Sequence, residues 1–356
     1  MTFIPHFKDR YALTYDDIQL IPSFSEIESR QEISLRTELS RNYVMDIPLI
    51  ASPMDTVCES DMAIAMADLG GVGCIHRFMT IEQQGIEVKK VHTHIYGGGF
   101  GSIPAKRNYT VPVMAAVGAN GDYLERAQEL VKNGANIVLI DVAHGHLQFV
   151  RDALKQLKST LPSKVDVIAG NIATADAARD LEHWGADALR VGIGGGSLCT
   201  TRIKTGFGVP NVTSLEQVTQ VANIPIIACG GIRNSGDIAK ALAVGADSVI
   251  LGSLLAGTKE APGKIIERSD GSLYKRYRGA ASLETKSIHG QAQRNVEGES
   301  TIVPFKGKAK FVVDGLLDGL RSAFSYAGAR NIQMYNPEYV IVTNAGIAEA
   351  RPHLIR

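Results

Sequence analysis

Between residues 47 and 253 the chain carries eight short apolar runs rich in β-branched residues: IPLIAS at 47, GVGCIH at 71, VPVMAAVG at 111, NIVLID at 136, VDVIAG at 165, ALRVGIG at 188, IPIIACGG at 224 and SVILGS at 248. Runs with no alternating polar face suit parallel strands covered on both sides, and the stretches between them are long enough for crossover helices. Thr80 and Gln83, like Ser214 and Gln217, have the spacing at which a hydroxyl and an amide satisfy each other's backbone donors, so a helix is expected to start at each. The triplets Gly134-Ala-Asn136, Gly185-Ala-Asp187 and Gly245-Ala-Asp247 echo one another where a helix hands over to the next strand. Eight such units predict a (β/α)8 TIM barrel, with a doubly wound open sheet as the alternative, since periodicity does not see closure. Residues 258–308 are polar and weakly periodic, as expected for a long active-site flap after strand 8, and 309–330 read as a closing helix. The whole of 1–356 is read as one catalytic barrel domain.

Composition narrows the partners. Lysine plus arginine equal aspartate plus glutamate at 37 each, so no net field draws the chain to nucleic acid or an anionic membrane. No run approaches the roughly 18 apolar residues of a membrane span, and the first residues lack a basic stretch followed by an apolar one. Four cysteines without CxxC spacing argue against a zinc site or a secreted disulfide framework, so a cytoplasmic protein is expected.

Chemistry in a barrel sits on the loops that follow the strands. The sixth run is followed by GIGGGSLCTTR, in which successive backbone N–H groups and Ser197 can cradle a phosphate, or form a tight turn around a buried cysteine. Cys199 lies beside Thr201 and Arg202, a thiol near a hydroxyl and a positive charge, and is the leading nucleophile. Gly231, after the seventh run, and Gly252-Ser253, after the eighth, occupy the usual barrel phosphate loops, although glycines there also permit close helix packing. Asp141 ends the fourth run and either receives a ribose hydroxyl of a cofactor or caps the next helix. His144 and His146 are expected to orient that loop rather than to hold a metal.

The segment VGIGGGSLCTTRIKTGFGVP resembles the active-site loop of the IMP dehydrogenase/GMP reductase family. ALTYDDIQLIPSFSEIESR, PLIASPMDTVCESDMAIAMADLGGVGCIHR, DVAHGH, GGIRNSGDIAKALAVGADSVILGSLLAGTKEAPG, YKRYRG and VPFKG resemble that family too, so the similarity spans nearly the whole chain. The resemblance implies that Cys199 attacks purine C2 and that Ser197, Gly231, Gly252, Ser253 and Tyr277 hold the nucleotide phosphate. It places Ser52 and Met54 near base and ribose, Asp141 on a nicotinamide cofactor, and the carbonyls of Gly194, Gly196 and Cys199 around a monovalent cation such as K+. It also implies a homotetramer.

Residues 88–110 bridge in one short segment the point where many dehydrogenases insert regulatory CBS modules. The flap lacks the Arg-Tyr pair by which dehydrogenases activate water. It carries instead Arg294-Asn-Val-Glu297-Gly298, similar to GMP reductases, in which the glutamate works with the threonine two residues past the cysteine, here Thr201, to protonate departing ammonia. The expected reaction is NADPH-dependent reduction of GMP, or of dGMP, to the inosine nucleotide. Arg77 is a candidate for the extra phosphate of NADPH, its alternative being a solvated surface arginine. Two departures from the family stand out: Cys229 replaces the aspartate that binds both ribose hydroxyls, and Ala280-Ala281 replaces the dehydrogenases' Met-Gly. The competing readings are a short IMP dehydrogenase using NAD and a nucleotide-binding barrel with weak or no catalysis.

Overall fold

A computed structural model describes residues 11–97, 107, 109–288 and 296–349. All eight apolar runs form strands: β1 (Leu49–Ala51), β2 (Val72–Ile75), β3 (Met114–Val117), β4 (Ile137–Asp141), β5 (Asp166–Ile172), β6 (Ala188–Val191), β7 (Ile226–Cys229) and β8 (Ser248–Leu251). They pair in parallel in chain order, and β8 returns to β1 through Val249↔Leu49, Ile250↔Ile50 and Leu251↔Ala51, which closes the barrel and disposes of the open sheet. Closure leaves no exposed strand edge.

Helices α1 (Ser60–Leu69), α2 (Ile81–Tyr96), α3 (Tyr123–Lys132), α4 (Gln148–Thr160), α5 (Ala175–His183), α6 (Asn211–Thr219), α7 (Ser235–Ala243) and α8 (Ala309–Tyr326) surround it. The Thr80–Gln83 capping box starts α2 as expected. The one at Ser214 does not: α6 already begins at Asn211 behind Pro210, and Ser214 lies buried within it. Proline has no N–H to satisfy and presets the backbone before the first turn, so it fixes the helix start in place of the hydroxyl.

The Gly-Ala-Asx echo is a recurrent clamp. Gly134, Gly185 and Gly245 adopt φ of +104°, +106° and +99°, the left-handed turn that redirects the chain from helix to strand. The third residue then grips the start of the preceding strand at two points. Asn136 donates its N–H to Val113 O (3.0 Å) and accepts from Val113 N at Oδ1 (2.8 Å). Asp187 does the same with Val167 (2.9 and 2.8 Å), and Asp247 with Ile226 (2.8 and 2.7 Å).

The hairpin formed by Thr37–Ser40 and Tyr43–Met45 plugs the N-terminal mouth of the barrel. Leu39, Tyr43 and Met45 join Ile50, Cys74, Leu139, Ile168 and Ile227 in the interior core, while buried Asp166 accepts from Ser40 Oγ, Asn42 N and Asn42 Nδ2 at 2.6, 2.9 and 2.7 Å. With that end sealed, the open end is the C-terminal one. The flap rises there, and part of it is more ordered than its sequence suggested. β9 (Ile265–Glu267), β10 (Leu273–Arg278) and β11 (Ser300–Pro304) form an antiparallel sheet. Lys275 on β10 is buried, its ammonium donating to the carbonyls of Thr258 (3.1 Å) and Ala261 at the root of the flap.

Candidate active site

A cleft of about 880 Å3 opens over the C-terminal ends of the strands, within the range of small-molecule sites. Three of its parts come from sequence-distant elements. The loop after β6 supplies Gly194, Gly196, Ser197, Cys199 and Thr201; the loops after β7 and β8 supply Gly231, Gly252 and Ser253; the flap supplies Tyr277, Glu297 and Gly298. Ser52, Met54, Arg77 and Asp141 complete the walls. Arg294 lies outside the described residues.

Flap and β6 loop are joined by backbone. Thr200 N donates to Glu297 O at 2.9 Å, and Glu299 N donates to Leu198 O at 2.9 Å. Cys199 thus pairs with Gly298 in an isolated antiparallel bridge. A Cβ on Gly298 would stand 3.1 Å from Ser282 N, so glycine lets the flap edge settle this close. That docking aligns three side chains: the Cys199 thiol donates to Thr201 Oγ1 at 3.1 Å, and the Thr201 hydroxyl donates to Glu297 Oε2 at 2.7 Å. A thiol, a hydroxyl and a carboxylate therefore lie in one hydrogen-bonded line, along which a proton can pass between sulfur and carboxylate.

At the other end of the cleft, Tyr277 Oη lies 3.4 Å from Ser197 Oγ. A Cβ on Gly252 would approach it to 2.9 Å. Burial pushes the Tyr277 phenol up from its usual value, which keeps it a donor. Ser197, Tyr277 and the backbone at Gly231 and Gly252-Ser253 form a cradle rich in donors and short of negative charge, suited to a phosphate.

The floor is the top layer of the barrel interior. Arg190, on β6, is 7% exposed. Its guanidinium donates to Asp141 through Nη1 and to Cys229 Sγ through Nε, the latter at 3.1 Å. Arg77 Nε lies 3.8 Å from the other Asp141 oxygen. Asp141 is accordingly no helix cap, since six residues separate it from the start of α4; two arginines hold it at the cleft wall. Arg77 is not a freely solvated surface residue either, its side chain being 30% exposed. His146 bonds to Asp180 of α5 at 2.7 Å and so fixes the β4 loop.

Sequence reasoning missed Arg190, although a lone charge inside the apolar run ALRVGIG was its signal. It also missed Asn211, whose Nδ2 donates to Gly230 O at 2.6 Å and braces the β7 loop from behind, and Asn171, whose Nδ2 donates to Gly192 O at 2.7 Å. Neither asparagine has a sequence pattern that sets it apart.

Residues 12–353 match the IMP dehydrogenase / GMP reductase domain. The chain belongs to the IMP dehydrogenase/GMP reductase family. It is 40% identical to inosine-5′-monophosphate dehydrogenase of Cryptosporidium parvum, over 96% of this chain and 95% of that protein. With GMP reductase of Lactobacillus delbrueckii subsp. bulgaricus it shares 38% identity, over 94% and 96% of the two chains. The crystal structure of a GMP reductase variant from Trypanosoma brucei in complex with guanosine 5′-monophosphate superposes with a TM-score of 0.90 at 31% identity, covering 99% of this chain and 100% of that one. Family members are oxidoreductases of purine metabolism, so the chain is placed in that class, while its relatives divide between the two activities.

Proposed function

We propose that this protein is a GMP reductase, converting GMP, NADPH and a proton to IMP, ammonia and NADP+. The observation that carries the reading is the line from Cys199 through Thr201 to Glu297. Loss of an amine needs a proton delivered to nitrogen as the carbon–nitrogen bond breaks, and this line ends in a group able to hold one. In its resting orientation the thiol proton points to Thr201 and the Thr201 proton to Glu297. Forming the thiolate therefore loads the carboxylate.

The thiolate adds to C2 of the purine. Glu297, through Thr201, returns the proton to the amine on that same carbon, the C2–N bond breaks, and a thioimidate on Cys199 remains. NADPH, when bound, supplies the hydride that takes the place of the amine. Sulfur then departs as the thiolate, IMP is released, and a proton taken from solvent restores the thiol.

The cofactor-side wall fits a dinucleotide: Arg77 Nε is buried without a hydrogen-bond partner, and Phe78, Asn120 and Asp141 line the same side. Asp141 would hold the nicotinamide half and Arg77 the extra phosphate. Ser52 and Met54 would flank base and ribose, and Arg294 and Gly298 would complete the nucleotide site. Gly194, Gly196 and Cys199 would offer carbonyls to K+; that of Gly196 also accepts Cys199 N at 3.1 Å. The proposal extends to a cytoplasmic homotetramer, in keeping with the family resemblance. No helix among the described residues is long and apolar enough to cross a membrane.

The test is absorbance at 340 nm. GMP should drive oxidation of NADPH in the native protein and not in Cys199→Ala. The second reading, an IMP dehydrogenase, draws on the relative at 40% identity; NADH formation from IMP without any GMP-dependent NADPH loss would establish it in place of the first.

A further inference from the structure

The sugar end of the cleft has an unusual floor. A purine nucleoside monophosphate with its phosphate in the Ser197–Tyr277 cradle and C2 at Cys199 must lay its sugar between them, over the end of β7. The side chain there is Cys229, which packs on the barrel's interior core and precedes the Gly230-Gly231 turn. Cys229 lines the same cleft as Ser197 and Tyr277, and a Cβ on the adjoining Gly230 would stand 2.9 Å from Gly196 N, next to Ser197.

Recognising a vicinal diol takes an acceptor with two free lone-pair directions, for which a carboxylate is best suited. Among the described residues three carboxylates line the cleft, and each is engaged. Asp16 receives Arg233 at 2.9 and 2.5 Å. Asp141 receives Arg190 and faces Arg77. Glu297 receives Thr201. The carbonyl of Asn211, buried and unpartnered, stands behind the glycines and forms no part of the cleft lining. The Cys229 sulfur is a weak acceptor already taken by the Arg190 Nε proton at 3.1 Å. A 2′-hydroxyl set against it would lose water and gain little, whereas a 2′-methylene would rest on sulfur and core without penalty.

We infer that the site selects 2′-deoxynucleotides, with Cys229, held by Arg190, as the specificity-determining residue. The inference rests on the reading of this cleft as a purine nucleotide site. An unpaired hydroxyl of this kind lowers affinity by about tenfold or more.

The experiment compares kcat/KM for dGMP and GMP, with NADPH, in the native enzyme and in Cys229→Asp, and in parallel measures dIMP and IMP binding to both proteins by calorimetry. The native enzyme should favour dGMP by at least tenfold and bind dIMP more tightly than IMP. Cys229→Asp should move both ratios at least tenfold toward the ribonucleotide, because its carboxylate accepts from the sugar and pairs with Arg190. Cys229→Ser, which keeps the side-chain size, should move them the same way by less and covers the case of a misfolded aspartate variant. A native ratio at or below one, or ratios unchanged by both substitutions, would overturn the inference. If neither nucleotide is turned over yet dIMP binds more tightly, the reductase reading fails and the sugar selectivity stands.

Discussion

If Cys199, Thr201 and Glu297 act as a single proton path, cutting it once should cost as much as cutting it twice. The thiol meets Thr201 at 3.1 Å and Thr201 meets Glu297 at 2.7 Å, so the hydroxyl is the shared link. Thr201→Val keeps the branched shape and removes the link; Glu297→Gln keeps the flap contacts and removes the proton store. Positioned general acid–base groups contribute roughly 10²–10⁴-fold to rate. Each single substitution should thus lower kcat by about 10³, or about 4 kcal/mol at 1.36 kcal/mol per decade. Independent effects would multiply to roughly 10⁶ in the double variant, whereas one path leaves it near 10³. Steady-state NADPH oxidation gives kcat, and calorimetric binding of the product nucleotide reports whether the cleft is intact. A double variant that falls by the product of the single losses, with nucleotide binding unchanged, would refute the relay.

The remaining expectations concern the scaffold. Burial raises the Asp247 carboxyl from its usual 3.8 to about 6, above its unfolded value, so the stability it contributes is full below about pH 4 and is lost as pH rises through about 6. Asp247→Asn, which copies the amide of the Asn136 clamp, should therefore be more stable than the native protein by a margin that opens between about pH 4 and pH 7 and reaches at most about 3 kcal/mol; denaturant titrations giving a margin independent of pH would contradict this. Lys275→Met leaves the carbonyls of Thr258 and Ala261 without their buried donor, a loss of about 2 kcal/mol at the root of the flap. Limited proteolysis should then cut within 258–308 before the barrel unfolds, and an unchanged cleavage pattern would show that the lysine is not the anchor.

Apolar runs made the barrel legible because strands buried on both faces leave no room for polar alternation, and eight such runs occur in order. Asp141, Gly231 and Gly252 were legible for a related reason: each stands where an apolar run stops and lines the cleft, while Cys199 stood out as the thiol of the glycine-rich loop after β6. What escaped has no one-dimensional period. β9, β10 and β11 are short, and the buried side chains of β10, Lys275 and Tyr277, form no apolar alternation. The capping box at Ser214 misled because its spacing is compatible with a helix start but does not exclude one three residues earlier. Arg190 was hidden by its setting: only the closed barrel shows that its charge sits under the cleft, shared by Asp141 and Cys229. The link between Thr201 and Glu297 came from family likeness, and no spacing rule connects residues 96 positions apart.

The three Gly-Ala-Asx clamps join β3 to β4, β5 to β6 and β7 to β8, all at the sealed end of the cylinder. Around β1 and β2 a different fastening serves, with Gly70 O accepting both Asp46 N and Ile47 N. The neighbouring joints are fastened at the same level, by Asp166 N to Asn136 O, Leu189 N to Pro225 O and Val249 N to Pro48 O. The bonds that set strand register thus gather at the closed end, while Cys199, Gly231 and Gly252 stand on loops at the other. Substitutions that remodel the cleft can therefore accumulate on one rim of the cylinder without touching the bonds that hold its strands in step.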